Sequence, residues 1–354
     1  MLKRGEELQL QDYQKTSLLT NNICLAVRDL IINEISNNVI NDKPKIMELS
    51  DKIREKFCFY PMTKHESFKI VVGTDASSQI LPLAAQSYGI ISALSYMLPN
   101  GETFYLSPES FTLHKNLNSI KFKNVINIRR EAKLYETAKA FLEFHPETEL
   151  LLVDGPLVFS DWWLLSGDKR DKNRLIKAVE NLLHLCTKSR VAVAGIVKRP
   201  SARYLIYHLG LDQYTSFSDS YILLHTLHPG ERTDLFSPQL ALQHISHPSL
   251  IMNAIGVSIY SFYARMSKEW SIPPIRIDVP NYCLGQIDDI ADYCYASSIT
   301  KGIPLPIVKA DEEVKISRRF VSEIYSEIIG RISRNDGEIR QLAPFWGEGR
   351  WMGA

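Results

Sequence analysis

The sequence predicts an α/β fold in which helices flank a mixed β-sheet. Three β-rich stretches with short links come first, which is typical of an antiparallel meander. Helical and strand-like stretches then alternate, as in chains where helices connect the strands of a sheet. A segment with helical apolar spacing and no Gly or Pro precedes all of these elements. The sheet is therefore expected to carry an N-terminal helical extension.

The N-terminal extension is predicted to cover residues 1–65. Apolar residues recur at helical spacing over 12–36, and a second short helix fits 46–56. The three stretches of the meander follow and read "FKIVVGTDAS", "SYGIISALSYML" and "ETFYLSPESFTLH". Their short links favour antiparallel pairing between neighbours.

A main domain is predicted over residues 66–335. Residues 128–143 are rich in Ala, Lys, Glu and Leu and predict a helix. The apolar run "TELLLVDG" is stopped by Asp-Gly and predicts a strand. A helix over 172–187 then leads to the strand "VAVAGIVK". Three hairpin-linked strands followed by alternating helix and strand are typical of a ribonuclease H-like fold.

The second half of the chain has a weaker pattern. "SDSYILLHTLHPGERTD" and "SPQLALQHISHPS" indicate irregular segments, whereas "LIMNAIGVSIYSFYARM" and "PPIRIDVP" indicate strands. Helices are predicted at 287–300 and 309–329. The aromatic and glycine-rich tail, residues 336–354, is predicted to be loop.

Composition excludes several classes of protein. The formal net charge of +1 gives no global sign of nucleic-acid binding, so such a surface has to be local. No apolar run approaches the roughly 18–20 residues that span a bilayer, and no membrane partner is expected. Five scattered cysteines without a CxxC motif favour reduced thiols and a cytoplasmic location. The motifs GxxxxGK[ST], GxGxxG and GxSxG do not occur.

Acidic residues fall at the places where a ribonuclease H-like fold would gather them. Asp75 and Asp154 each follow an apolar strand, Glu131 or Glu136 lies on the first helix of the main domain, and Asp311 lies on a late helix. Each Asp could equally end a strand as a turn former, and a helix acid could simply suit the helix dipole. Their coincidence favours a site in which carboxylates hold two divalent ions about 3.5–4 Å apart for phosphodiester hydrolysis.

The chain resembles the NurA family of nucleases over roughly residues 69–330. The motifs that carry the resemblance are "GTDASS", "RREAKLYE", "LVDGPLVF", "VAGIVKRP" and "GIPLPIVKADEEVKIS", with "PPIRIDVP" before the last helices. The resemblance implies an Mn²⁺-preferring (or Mg²⁺-using) nuclease with a ribonuclease H-like fold. It also implies 5′→3′ exonuclease and single-strand endonuclease activities on single- and double-stranded DNA, a homodimer with a central channel, and work with a HerA-like hexameric ATPase in DNA end resection and repair.

Carried over to this sequence, the resemblance implies that Asp75, Glu131 and Asp154 bind the metal, with Glu136 as the alternative helix acid. Lys198 falls on a recurrent lysine of the family and is expected to touch the scissile phosphate. The metal ligands expected are thus Asp75, Glu131, Asp154 and Asp311, and the catalytic set adds Lys198.

The late motif departs from the family pattern. The family usually has Tyr and His where this chain has Ile303 and Asp311. Aspartate can still bind a metal ion, but isoleucine can neither donate a proton nor bind phosphate. The departures motivate a second hypothesis, a weak or inactive NurA-like scaffold that binds DNA ends or a HerA-type ATPase. A metal phosphoesterase for small substrates is a third.

Other residue patterns allow further sites. The pairs His225/His228 and His244/His247 could hold zinc, although loop histidines are the simpler interpretation. Basic clusters could contact phosphate or be solvated faces; they include Arg129, Arg130, Lys198 and Arg199. Tryptophans could stack on bases, pack in a core or dock on a partner; they are Trp162, Trp163, Trp346 and Trp351.

Overall fold

The computed structural model of the protein describes residues 3–83, 87–112, 119–158, 168–238 and 256–334. The chain divides into two compact units, residues 1–55 and 56–354. Among the described helices, none has both the length and the apolar composition needed to cross a membrane.

The first unit is a single helix, α1, over Lys3–Lys56. The prediction of two helices at 12–36 and 46–56 is wrong, because the helix continues through the intervening segment, which contains Pro44. A proline removes one hydrogen bond of the helix ladder, and here it does not end the helix. The apolar side chains of Leu25, Ile32 and Val39 recur every seven residues and are exposed.

The ten described strands of the second unit form one mixed sheet. They are β1 Phe59–Pro61, β2 Val71–Pro82, β3 Ser87–Leu98, β4 Glu102–Tyr105, β5 Glu109–Thr112, β6 Leu150–Asp154, β7 Ala192–Val197, β8 Glu231–Thr233, β9 Ile259–Ala264 and β10 Ile275–Pro280. Their order is β1-β8-β9-β10-β7-β6-β2-β3-β4, and β5 also pairs with β3. β6 is parallel to both β2 and β7, and the other described pairs are antiparallel.

Helices flank this sheet, and the predicted ribonuclease H-like class is confirmed. The described helices of the second unit are α2 Ser119–Phe144, α3 Lys169–Ser189, α4 Tyr204–His208, α5 Asp219–Thr226, α6 Ile287–Ala296, α7 Leu305–Val314 and α8 Arg318–Arg334. The predicted meander is present as β2, β3 and β4. Its third stretch divides into β4 and β5, and Pro108, which has no N–H for a strand ladder, lies between them.

Two predictions for the second half are wrong. The stretch predicted to be irregular before residue 239 contains α5 and β8. Ser218 supplies the side-chain cap of α5 by accepting a hydrogen bond from the Tyr221 N–H, a local signal that outweighs the weak apolar pattern. The single helix predicted at 309–329 is two helices, α7 and α8, because the chain leaves the helical conformation between Val314 and Arg318.

The centre of the sheet explains the apolar run "LLLV" that precedes Asp154. Strand β6 lies between two parallel neighbours, and its residues Leu150 to Val153 are fully buried. A strand covered on both faces needs a continuous apolar run rather than an alternating one. Asp154 comes at the point where this run ends.

The position of Asp75 differs from the sequence prediction. Strand β2 does not end at Asp75 but continues to Pro82, paired with β3 along its whole length. Its parallel partner β6 follows it only as far as the pair Thr74–Val153. Asp75 therefore comes directly after the last paired residue on that side, next to the end of β6.

Helix α7 lies closely against β2 because of a glycine. A Cβ atom at Gly73 would overlap the carbonyl group of Pro306 at the start of α7. Beyond α7, the Ile316 N–H donates to Ser77 Oγ at 3.1 Å, and the Ile316 carbonyl accepts from Gln79 Nε2 at 3.0 Å. Strand β2 thus fixes both ends of α7, the helix that carries Asp311.

We predict that Gly73→Ala destabilises the protein by about 1–3 kcal/mol, the usual cost of overpacking. The new methyl group would push the start of α7 away from β2. The midpoint of urea unfolding is the measurement. Gly285→Ala is the matched control, because a Cβ atom at Gly285 meets nothing within 4 Å. Equal loss of stability in both variants would contradict this account of helix packing.

Candidate metal centre and active site

Three carboxylates from distant parts of the chain meet at one edge of the sheet. Oxygen atoms of Asp75 on β2, Asp154 at the end of β6 and Asp311 on α7 all lie within 4.8 Å of one another. Asp75 is buried, Asp154 is half-buried and Asp311 is exposed. The structure therefore brings together three of the four acids that the sequence singles out as metal ligands.

Lys198 lies between two of these carboxylates. It follows the last residue of β7, and its Nζ is 2.7 Å from Asp154 Oδ2 and 3.3 Å from Asp311 Oδ1. Burial lowers the pKa of Lys198, but the combined attraction of Asp154, Asp75 and Asp311 outweighs burial and raises the pKa above its usual range. Its ammonium group thus stays charged and partly neutralises the three acids.

Glu131 lines the same site without joining the group of three. Its side chain is buried on α2, and Oε1 accepts a hydrogen bond of 2.6 Å from Arg130 Nη2. The other oxygen, Oε2, is buried and has no hydrogen-bond partner. Glu136, the alternative helix acid, instead accepts two bonds of 2.7 Å from Arg174 on α3.

A cavity of about 290 Å³ lies between the group of three acids and Glu131. It is lined by Asp75, Ala76, Arg130, Glu131, Leu134, Asp154, Gly155, Pro156 and Asp311. Gly155 has a φ of 139°, a backbone conformation that side chains disfavour. The Asp-Gly sequence thus lets the chain turn sharply after Asp154 and leaves the carboxylate at the mouth of the cavity.

The electrostatics of the cavity oppose a full set of ionised acids. Burial, reinforced by repulsion from Asp154, raises the pKa of Asp75 to about 9. Burial also raises the pKa of Glu131, although the Arg130 guanidinium opposes the rise. Like charges this close favour protonation or the binding of a cation.

The residues present fit a divalent metal ion. All the offered donors are carboxylate oxygens, the ligands that Mg²⁺ and Mn²⁺ prefer. Glu131 Oε2 supplies a further buried acceptor that no protein donor satisfies. A cation here would relieve the repulsion between Asp75 and Asp154 and would give Glu131 Oε2 a partner.

The other residues singled out in the sequence lie elsewhere. Ile303 packs against the main hydrophobic core. His225 lies at the last turn of α5, edge-on to the ring of Tyr221. Neither His225 nor His228 belongs to a group of potential metal ligands among the described residues.

Several predicted residues fall outside the described ranges. These are His244, His247, Trp162, Trp163, Trp346 and Trp351. Of the basic residues, Arg130 lines the cavity, whereas Arg129 pairs with Asp171 on α3 at 2.8 Å.

The buried ion pair Arg276–Asp278 on β10 was not identified from the sequence. This pair contacts the turn after Asp154, because Asp278 Oδ2 accepts the Leu157 N–H at 3.0 Å. The signal was present in "PPIRIDVP", where two opposite charges stand two residues apart within an apolar strand and so face the same side of the sheet. Charged residues inside a buried strand indicate a specific polar contact.

Comparison with known proteins places this arrangement in a family. The model of the NurA domain matches residues 69–316. The chain belongs to the NurA family. This NurA protein has no match among curated protein sequences.

Solved structures of NurA proteins share the fold. The NurA nuclease from Sulfolobus solfataricus matches with a TM-score of 0.62 and 19% identity, over 85% of this chain and 95% of that one. A crystal structure of NurA with manganese matches with a TM-score of 0.56 and 13% identity, over 88% of this chain and 99% of that one. A further NurA structure matches with a TM-score of 0.54 and 12% identity, over 84% and 96%.

The raised pKa of Asp75 predicts a pH-dependent cost to stability. The ordinary pKa of an aspartate carboxyl is 3.8 and that of folded Asp75 is about 9, so between these values the folded state binds more protons than the unfolded state. The free energy of unfolding therefore falls as the pH rises through this window. In EDTA, we expect Asp75→Asn to be more stable than the wild type at pH 8 by at least about 1 kcal/mol, since one pKa unit is worth about 1.4 kcal/mol.

Thermal unfolding at pH 4 and pH 8 measures this effect, and the difference between the two proteins should nearly vanish at pH 4. Glu312→Gln, which changes an exposed acid on the same helix as Asp311, is the control and should not gain stability with pH. If Asp75→Asn and the wild type differed in stability by the same amount at pH 4 and pH 8, ionisation of Asp75 would not be the cause of the difference.

Proposed function

We propose that the protein is a metal-dependent DNA nuclease whose active site is the cavity between β2, β6, α2 and α7. The observation that carries the proposal is the meeting of Asp75, Asp154 and Asp311 within 4.8 Å in a NurA chain. The three acids repel one another when ionised, and Glu131 next to them has a buried oxygen without a hydrogen-bond partner. Both features suit a site that works with a cation bound.

The metal would be held by Asp75, Asp154 and Asp311, with Glu131 as the fourth ligand. We favour Mn²⁺ or Mg²⁺, because the donor set is made of carboxylate oxygens and a related NurA structure contains manganese. When bound, a pair of divalent ions supplies charge stabilisation for an in-line displacement at phosphorus. Two ions are proposed because in-line displacement at phosphorus is assisted by a pair of divalent ions when several carboxylates are present to hold them, and this site offers four.

The side chains of the protein would bind and orient the phosphodiester. Lys198, already charged and directed at the acids, can donate to a non-bridging phosphate oxygen once a metal ion takes over its partners Asp154 and Asp311. Arg130 fixes Glu131 through Oε1 and leaves Oε2 available to the metal. The half-buried position of Asp154 and the exposed position of Asp311 leave the metal site open to a polymeric substrate.

We further propose that DNA is cut by 5′→3′ exonuclease and single-strand endonuclease activities during end resection and repair in the cytoplasm. The cleavage activities, the role in resection and repair, and a HerA-like hexameric ATPase as partner are supported by the motif resemblance to NurA proteins, and the cytoplasmic location by the scattered cysteines. The sequence lacks a GxxxxGK[ST] motif, so ATP-driven movement along DNA would be supplied by such a partner.

A homodimer is also proposed. The exposed side chains of Leu25, Ile32 and Val39 on α1 recur at the seven-residue spacing of a coiled coil. Pairing of two α1 helices would remove this apolar stripe from water.

The alternative function is an inactive scaffold that binds DNA ends or an ATPase. Its motivation is the late motif, in which this chain has Ile303 where NurA proteins usually carry tyrosine. Ile303 packs against the hydrophobic core and does not line the cavity, so catalysis would depend on the acids and Lys198.

The decisive experiment compares acid variants on end-labelled single- and double-stranded DNA in Mn²⁺, Mg²⁺ and EDTA. We expect Asp75→Ala and Asp154→Asn to lose at least about 100-fold in cleavage rate, because outer-shell changes alone commonly cost about 10–100-fold and these variants remove the ligands themselves. Glu136→Gln is the matched control, since that acid pairs with Arg174 rather than lining the cavity, and it should keep wild-type activity. Circular dichroism checks that each variant is folded.

Three other outcomes would contradict this function or favour an alternative. Full cleavage by Asp154→Asn would refute the nuclease site. DNA binding without Mn²⁺-dependent cleavage in the wild type would favour the scaffold. Faster hydrolysis of a small model phosphodiester than of DNA would favour a phosphoesterase.

A further inference from the structure

We propose that Asp278, with Arg276 as its counter-ion, is a positioning residue that holds the metal-binding turn after Asp154 in place. The proposal rests on the proposed metal site and adds two residues from β10 to it. Neither side chain lines the cavity, so both act through the backbone of the turn.

Asp278 is fully buried, and both of its oxygens have defined partners. Oδ1 accepts from Ser261 Oγ at 2.6 Å and from Arg276 Nε at 2.8 Å. Oδ2 accepts from Arg276 Nη2 at 3.0 Å and from the Leu157 backbone N–H at 3.0 Å. Ser261 and Arg276 lie on β9 and β10, whereas Leu157 belongs to the turn after Asp154. The bond to Leu157 therefore connects β10 to the proposed metal site.

The turn is held at each of its three residues. The Gly155 N–H donates to the Ile196 carbonyl at 3.1 Å, and the Pro156 carbonyl accepts from Tyr135 Oη at 3.0 Å. Leu157 completes the set through Asp278. Tyr135 lies one helical turn after Glu131 on α2, so its bond also ties the helix of Glu131 to the turn of Asp154.

The hydrogen bond between Leu157 and Asp278 needs space over β7, and Gly195 leaves that space. Gly195 on β7 pairs with Asp278 on one side and with Val153 on the other. A Cβ atom at Gly195 would lie 2.7 Å from the Gly155 carbonyl oxygen and 3.1 Å from the Leu157 nitrogen. The turn therefore crosses β7 above this glycine to reach Asp278.

A buried ion pair is a costly way to stabilise a sheet, because apolar side chains of similar size often do as well. Its specific effect here is a charge-assisted hydrogen bond to one backbone N–H, which fixes the direction of the chain just after Asp154. Outer-shell groups of this kind commonly change metal affinity by about 10–100-fold when removed.

Two double variants separate positioning from simple burial of charge. Arg276→Met with Asp278→Asn removes both charges but keeps an oxygen that can accept the Leu157 N–H. Arg276→Met with Asp278→Leu removes the acceptor as well. We expect the first to bind Mn²⁺ within about threefold of the wild type and the second to bind about 10–100-fold more weakly, as for outer-shell changes.

Isothermal titration calorimetry with MnCl₂ on the full chain measures these affinities without relying on cleavage. Asp219→Asn is the control, because Asp219 is equally buried but accepts the Leu205 and Ile206 N–H groups away from the turn. It should keep wild-type Mn²⁺ affinity even if it lowers the melting temperature. If the leucine variant does not fold, Tyr135→Phe removes only the hydroxyl that holds Pro156 and should still weaken Mn²⁺ binding by about threefold or more.

Wild-type Mn²⁺ affinity in the folded leucine variant, or in Tyr135→Phe where that variant is used, would overturn the proposal. Equal weakening in the asparagine and leucine variants, or in Asp219→Asn, would also overturn it. Unchanged affinity in Asp154→Asn would show that the metal site itself is wrong, a failure of the proposed function rather than of the positioning role alone.

Discussion

Repulsion between the carboxylates of buried Asp75 and half-buried Asp154 is the constraint on which the rest of this structure depends. Asp75 and Asp154 offer oxygens within 4.8 Å of each other at the edge of a hydrophobic sheet. Two ionised acids in such a place are unfavourable unless positive charge compensates them. Lys198 supplies one positive charge from the end of β7, whereas the charge of the half-buried Arg130 on α2 is matched by its own partner Glu131. A divalent ion would complete the compensation.

The scaffold keeps these charges together because each is attached to an element that cannot easily move. Strand β2 is paired with β3 along its full length, and β6 is buried between β2 and β7. Helix α7 lies against Gly73 and is tied to β2 again at Ile316. The acids therefore cannot separate to relieve their repulsion without breaking paired strands or a packed helix. This rigidity is what a preorganised metal site needs.

Much of the fold and of the site could be predicted from the sequence, because short local patterns of apolar and acidic residues determine both. The apolar run ending in Asp154 predicts a central strand, and the order of strands and helices predicts which acids converge. The bond between Lys198 and Asp311 could not be predicted, since it depends on how α7 packs onto β2. The course of β2 past Asp75 also escaped prediction, because pairing with β3 outweighs the polar residues after Asp75. The continuity of α1 through Pro44 was missed for a similar reason, as one lost hydrogen bond does not end a long helix.

The central claim is that the carboxylate cluster is a cation site, and a crystal structure with Mn²⁺ tests it most directly. Anomalous diffraction from crystals soaked in MnCl₂ locates the ion independently of any assumption about ligands. We expect an anomalous peak bound by Asp75 and Asp154, with Glu131 Oε2 drawn toward an ion and Lys198 Nζ displaced from Asp154. A site without an anomalous peak at saturating Mn²⁺, with Lys198 still bonded to Asp154, would contradict it.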